Sequence, residues 1–297
     1  TAVDNMKSGL RSFRKYVPAD LVRQLVNLGK EAGLEAERRE LSIIFSDIKD
    51  FTTISEQLAP EKLIEDLGVY FSRMTGIIMQ REGTVDKYIG DAIMAFWGAP
   101  LPVVDHAAKA CRTALACQEF LGALNRDRAK QGKPLLETRI GLNTGEVLVG
   151  NMGYEQRLNY TIIGDHVNLA SRLEAMNKYY GTKILMSEFI HERVKEVMET
   201  RQLDIVAVKG KALGVGLFEL VAEKDNINAE TAAFLARHDE AFALYRKGAW
   251  AEAEAAFREL AALRPDDGPV RVLLKRVTEF RANPPHGFDG VLRMHEK

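Results

Sequence analysis

Thr84-Val85-Asp86-Lys87-Tyr88-Ile89-Gly90-Asp91-Ala92-Ile93-Met94-Ala95-Phe96-Trp97 reads as two short strands, Thr84–Ile89 and Ala92–Trp97, joined by a tight turn at Gly90-Asp91. The flanks favour strand, and the central pair suits a hairpin. Asp91 therefore falls at a hairpin tip. Upstream, Leu41-Ser42-Ile43-Ile44-Phe45 is a compact run of the kind that makes a buried strand, and it stops at Ser46-Asp47. Both Asp47 and Asp91 could thus project from one edge of a sheet. Magnesium takes hard oxygen ligands, usually one or two carboxylates completed by substrate phosphates, so the pair is a candidate cation site. The plainer alternative is that Asp47 caps a helix and Asp91 merely makes its turn. The residues alone leave both readings open.

Outward from this core, Asp50 is placed to cap a short helix, and Pro60 to open a second one that runs to about Gln80 and closes at Gly83. A long helix is expected from Asp105 to about Gln131. Strands follow at Thr138–Asn143 and Glu146–Asn151, with Thr144-Gly145 as the turn between them, then near Leu158–Ile163, Lys183–Met186, Leu203–Val208 and Gly216–Val221. This alternation over residues 41–224 predicts one α/β domain. Before it, the amphipathic pattern from Pro18 to about Glu40 makes residues 1–40 a helical connector. After it, residues 225–297 lack strand signals and predict helices near Ala229–Lys247, Ala251–Leu263 and Gly268–Phe280. Ala241, Leu244, Tyr245, Gly248, Trp250, Ala253, Ala256, Phe257 and Pro265 resemble a single tetratricopeptide unit. One such unit cannot bury its own face and should pack on something else.

The chain's 297 residues are 46% hydrophobic and 28% charged, which describes a globular protein of roughly two domains' length. With 41 Lys and Arg against 42 Asp and Glu, the net charge of −1 supplies no global attraction to polyanions, so such a ligand must be held by local cations or metals. Cys111 and Cys117 share one predicted helix, which argues against a disulfide framework or a thiolate zinc site and suggests a reducing compartment. The longest uncharged run, Ala92–Val104, contains Pro100 and Pro102 and is too short to span a membrane. The first residue is Thr and no signal peptide is evident, so an excised fragment of a longer chain is expected. No phosphate loop, zinc-protease helix or nucleophile elbow occurs.

Three motifs decide between the open readings. Phe45-Ser46-Asp47-Ile48-Lys49-Asp50-Phe51-Thr52, Asp86–Phe96, and Tyr160-Thr161-Ile162-Ile163-Gly164-Asp165-His166-Val167-Asn168-Leu169-Ala170-Ser171-Arg172 together resemble the class III nucleotidyl cyclases, in order and spacing, over roughly Leu41 to Ala222. The resemblance implies an α/β (α+β) catalytic domain of ferredoxin-like βαββαβ type. It implies an adenylate cyclase that converts ATP to 3′,5′-cyclic AMP and pyrophosphate, with two Mg2+ or Mn2+ ions held by Asp47, Asp91 and the carbonyl of Ile48. Lys87 and Thr161 would select the base: an ammonium can donate to an adenine ring nitrogen, and a hydroxyl can accept from the exocyclic amine. Guanylate cyclases of the family carry Glu and Cys there. Thr161 departs from the Asp of many adenylate cyclases and resembles the Thr-bearing subgroup that includes bicarbonate-responsive members. Asn168 and Arg172, four apart on a predicted helix, match the pair that orients the ribose and stabilises the transferring phosphate. Lys209, in Val208-Lys209-Gly210-Lys211, would hold the terminal phosphates, with Lys211 as the fallback.

The family places the metal residues and the base-selecting and transition-state residues on different catalytic domains. This chain carries each set once, so the resemblance implies a homodimer with two composite sites and no nucleic-acid partner. The stretch Gly150–Leu158 resembles the family's dimerisation arm. Residues 13–18 resemble the connector of receptor-type cyclases, and residues 283–290 resemble tails of cyclases with membrane-tethered sensors. A cytoplasmic catalytic region, with its upstream sensor and membrane anchor outside this fragment, is the corresponding expectation. The alternative from another class is a catalytically silent nucleotide-sensing or dimerisation scaffold.

Overall fold

The computed structural model describes residues 33–154, 157–207 and 214–293. Residues 1–32 of the expected connector and residues 208–213, which include Lys209 and Lys211, lie outside the described residues. In chain order the elements are β1 (Ala36–Ile48), α1 (Phe51–Gln57), α2 (Pro60–Gln80), β2 (Thr84–Ile89), β3 (Ala92–Trp97), α3 (His106–Lys130), β4 (Thr138–Tyr154), β5 (Arg157–Ile163), α4 (Asp165–Tyr180), β6 (Ile184–Ser187), α5 (Glu188–Val194), β7 (Met198–Val206) and β8 (Val215–Glu223). Three helices follow: α6 (Ala229–Arg246), α7 (Trp250–Leu263) and α8 (Gly268–Ala282).

The strands form one eight-stranded sheet in the order β2-β3-β1-β4-β6-β8-β7, with β5 paired to β4 outside that path. The leading half, β1 through β4 with their helices, has the βαββαβ order and the β2-β3-β1-β4 arrangement of a ferredoxin-like sheet. Strand pleat divides the residues of β1 between two cores. Ile44 and Ile48 join Tyr70, Met74 and Ile78 of α2 and Ala110, Cys111, Ala114 and Cys117 of α3 on one face. Leu41 and Ile43 join Met94 and Phe96 of β3 and Val167 and Ala170 of α4 on the other. Both cysteines are free and buried in α3, and burial pushes the Cys117 thiol up to about 12.

Three elements differ from the sequence reading. First, β1 starts at Ala36, so the last residues of the expected connector helix are strand, paired with β4 from Ala36 opposite Gly150 to Ile48 opposite Thr138. Second, the expected turn at Thr144-Gly145 is absent, and β4 is a single 17-residue strand. Those two residues serve packing instead: the Thr144 hydroxyl bonds that of Ser42 at 2.6 Å, and a Cβ on Gly145 would lie 2.3 Å from the His166 ring of α4. Gly141 does the same a turn further along that helix, where a Cβ would lie 2.2 Å from the Ala170 carbonyl oxygen. These glycines let α4 lie close on β4. Third, α5 has only seven residues, too few for a helical period to register in the sequence.

The C-terminal helices enclose their own core of Phe242, Tyr245, Ala253, Phe257, Leu260, Val270 and Leu273 and also dock on the sheet. Arg276 of α8 pairs with buried Asp204 of β7, whose Oδ2 also accepts from the Tyr180 hydroxyl at 2.7 Å. Arg201 of β7 joins Glu219 of β8 to Asp267, the residue that caps α8. Beyond α8 the chain returns to β7: Leu292 N donates to Ile205 O at 2.7 Å, and Ala207 N donates to Leu292 O at 2.9 Å. Among the described residues no helix is long and apolar enough to cross a membrane.

Candidate active site

Asp47 lies at the end of β1 on the α4 face of the sheet, opposite Arg139 of β4. Its Oδ2 accepts from Arg139 Nη2 at 2.8 Å, while Arg139 Nε donates to Glu174 Oε1 of α4 at 2.9 Å. Asp91 occupies the β2–β3 tip, where the preceding Gly90 takes φ +64°, a left-handed value that glycine adopts without strain. Asp91 Oδ2 accepts from the backbone N–H of Ile48 at 3.0 Å. The hairpin tip is thereby tied to the end of β1, and the two carboxylates come together as the sequence anticipates. Asp47 does not cap a helix. Asp50 precedes α1, but its side chain makes no capping bond.

The electrostatics of this corner are unbalanced. Burial first, then the charge of Asp47, pushes Asp91 up to about 6. Burial first, then again Asp47, pushes Glu174 up to about 7 even with Arg139 beside it. Two hard carboxylates that resist simultaneous ionisation, with a backbone carbonyl between them in sequence, form a donor set suited to magnesium or manganese. Among the described residues no cluster of three or more His, Cys, Asp or Glu side chains forms a metal cage.

A second constellation stands on β2 and β5. A register shift between Val85 and Lys87 leaves Asp86 as the extra residue of a β-bulge. A bulge re-aims side chains, and here both Asp86 and Lys87 reach Thr161. Lys87 Nζ donates to Thr161 Oγ1 at 3.0 Å, Thr161 Oγ1 donates to Asp86 Oδ2 at 2.6 Å, and Lys87 Nζ lies 3.3 Å from Asp86 Oδ1. The Asp86 side chain is 1% exposed and Lys87's 43%, so the carboxylate is interior and the ammonium meets solvent. Burial raises the Asp86 carboxyl above its ordinary value, while bonds from Thr161, Lys87 and the Ile162 N–H oppose the shift.

Asn168 and Arg172 are both exposed on α4, the helix seated on the Gly141 and Gly145 positions of β4. Lys209 lies outside the described residues. Three residues of these constellations escaped the sequence reading. Asp86 adjoins Lys87 in the quoted motif, and only the bulge gives it a role. Arg139 became visible through its register with Asp47, and Glu174 through its place on α4 two residues after Arg172.

Comparison with known proteins puts these residues in context. The adenylate and guanylate cyclase catalytic domain matches residues 35–223. Adenylate cyclase 1 of Rhizobium meliloti is 38% identical over 231 residues, covering 78% of this chain but only 35% of that protein. The adenylyl cyclase CyaB of P. aeruginosa is 37% identical with a TM-score of 0.59, covering 66% of this chain and all of that one. The guanylyl cyclase Cya2 reaches the same TM-score at 33% identity, covering 66% of this chain and 98% of that one. Overall likeness thus extends to proteins named for either nucleotide. With a family match over the whole sheet and both constellations assembled on it, this chain belongs to the adenylate and guanylate cyclase catalytic domain family.

Proposed function

We propose that the chain is the catalytic region of an adenylate cyclase, forming 3′,5′-cyclic AMP and pyrophosphate from ATP at composite sites of a homodimer. The observation that carries the choice of ATP is the Lys87–Thr161 pair. It offers a donor and an acceptor side by side, which matches the ring nitrogen and exocyclic amine of adenine and opposes the N–H and carbonyl of guanine. Two magnesium or manganese ions, held by Asp47, Asp91 and the Ile48 carbonyl, would neutralise the triphosphate and acidify the ribose 3′-hydroxyl. Asn168 orients the ribose, Arg172 meets the charge that develops on the transferring phosphate, and Lys209 holds the terminal phosphates. Positioning and charge stabilisation dominate such phosphoryl chemistry, so no separate base is required.

Incubating the protein with ATP and with GTP, in magnesium and in manganese, and identifying the products tests this reading. Cyclic AMP from ATP is expected, with Asp47→Ala and Asp91→Ala each lowering kcat at least about 1,000-fold, a loss of about 4 kcal/mol, while the fold persists. Cyclic GMP as the main product would reverse the nucleotide assignment. Nucleotide binding without product would favour the silent scaffold.

A further inference from the structure

Thr161 has one proton and two lone pairs, and its two protein neighbours decide how they are used. An ammonium can only donate, and an ionised carboxylate can only accept. With Lys87 Nζ at 3.0 Å and Asp86 Oδ2 at 2.6 Å, the Thr161 proton goes to Asp86 and one lone pair receives Lys87. What remains on Thr161 is a single lone pair. We infer that Asp86 is the specificity-determining positioning residue of the base site, fixing the Thr161 hydroxyl as an acceptor so that it welcomes the 6-amino group of adenine and refuses the 6-oxo group of guanine.

Without Asp86 the hydroxyl still accepts from Lys87, but its proton has no fixed acceptor. It could turn its proton outward and donate to a guanine carbonyl as readily as accept from an adenine amine. A threonine is therefore an ambiguous reader of the base, and the carboxylate behind it removes the ambiguity. Asp86 is built for this: the bulge places it next to Lys87 on the strand, and its 1% exposure keeps water from competing for the Thr161 proton. The Ile162 N–H also donates to the carboxylate, holding it in place from β5. Asp86 also engages one Lys87 proton through Oδ1 at 3.3 Å, and Thr161 takes another, which leaves the third for the base.

This inference rests on the proposed use of ATP, and the experiment separates the two. The kcat/KM values for ATP and GTP are measured for the wild type, Asp86→Ala, Thr161→Val and the double variant. A wild type that prefers GTP defeats the nucleotide assignment itself. If the wild type prefers ATP, Asp86→Ala is expected to lower the ATP:GTP ratio about tenfold, the worth of one hydrogen bond. In the Thr161→Val background the same substitution should leave the ratio unchanged, because no hydroxyl remains to orient. Equal losses on both nucleotides, or an undiminished effect in the Thr161→Val background, would overturn the inference. Should Asp86→Ala fail to fold, the near-isosteric Asp86→Asn is a weaker, uncharged acceptor that can turn its NH2 toward Thr161 and loses the ion pair with Lys87, and it should lower the ratio severalfold. An unchanged ratio there also overturns it.

Discussion

Protonation of Asp91 and binding of a cation compete for the same oxygens. Because burial and Asp47 raise its pKa from 3.8 to about 6, Asp91 takes up a proton as pH falls through about 6 in the metal-free protein. Apparent metal affinity should therefore fall roughly tenfold between pH 7.5 and pH 5, as expected for one competing proton. Titrating manganese by calorimetry at the two pH values reads this directly, and equal affinities would contradict it. The same shift bears on stability with the opposite sense. A carboxyl whose folded pKa lies above its unfolded value contributes fully below the unfolded value, and that contribution is lost as pH rises from about 4 to about 6. Metal-free Asp91→Asn should thus melt about 2–4 °C higher than the wild type at pH 7.5, on the order of 1 kcal/mol after discounting for solvent exposure. Added magnesium should erase the difference by stabilising only the wild type.

Among the elements, α4 links the site to the rest of the molecule. It carries Asn168 in its first turn and Arg172 and Glu174 near its middle, and ends at Tyr180, whose hydroxyl bonds Asp204 together with Arg276 of α8. A Cβ on Gly268, the first residue of α8, would lie 2.3 Å from the Tyr180 carbonyl oxygen, so the end of α4 abuts the start of α8. The helical extension therefore braces a helix of the site. Tyr180→Phe should lower kcat severalfold with little change in the KM for ATP, and Arg276→Met should do so more strongly, with Arg276→Lys recovering some of the loss. Unchanged kcat alongside a lower melting temperature would reduce the contact to a structural one. The sequence anticipates that the extension packs on something but not where, because Asp204 and Arg276 lie 72 residues apart and neither belongs to a local pattern. The β2–β3 hairpin is legible because strand residues flank a glycine-led turn. The continuity of β4 is not, because Thr144-Gly145 has the chemistry of a turn and only the neighbouring Ser42 and His166 explain it. For the same reason the motifs offer Asp47, Asp91, Lys87 and Thr161 as candidates, while Asp86, Arg139 and Glu174 emerge only from bulge, register and helix placement.

At the scale of the whole molecule, one chain holds the carboxylate pair and the base pair as separate constellations, each hydrogen-bonded within itself. If two copies share each site, then Asp47→Ala and Arg172→Ala, each inactive alone, should recover up to about a quarter of wild-type activity when mixed. Statistical pairing makes half the dimers mixed, each with one intact site of two. No recovery on mixing, with exchange of subunits verified, would exclude shared sites. The bulge at Asp86 also limits how the copies can meet. It interrupts β2, one end of the strand order, and places a lysine there, while the opposite end at β7 is partly covered by Leu292. An irregular, charged rim and a capped one are poor templates for a further strand. Association that continues the sheet from β2 or from β7 is thereby discouraged.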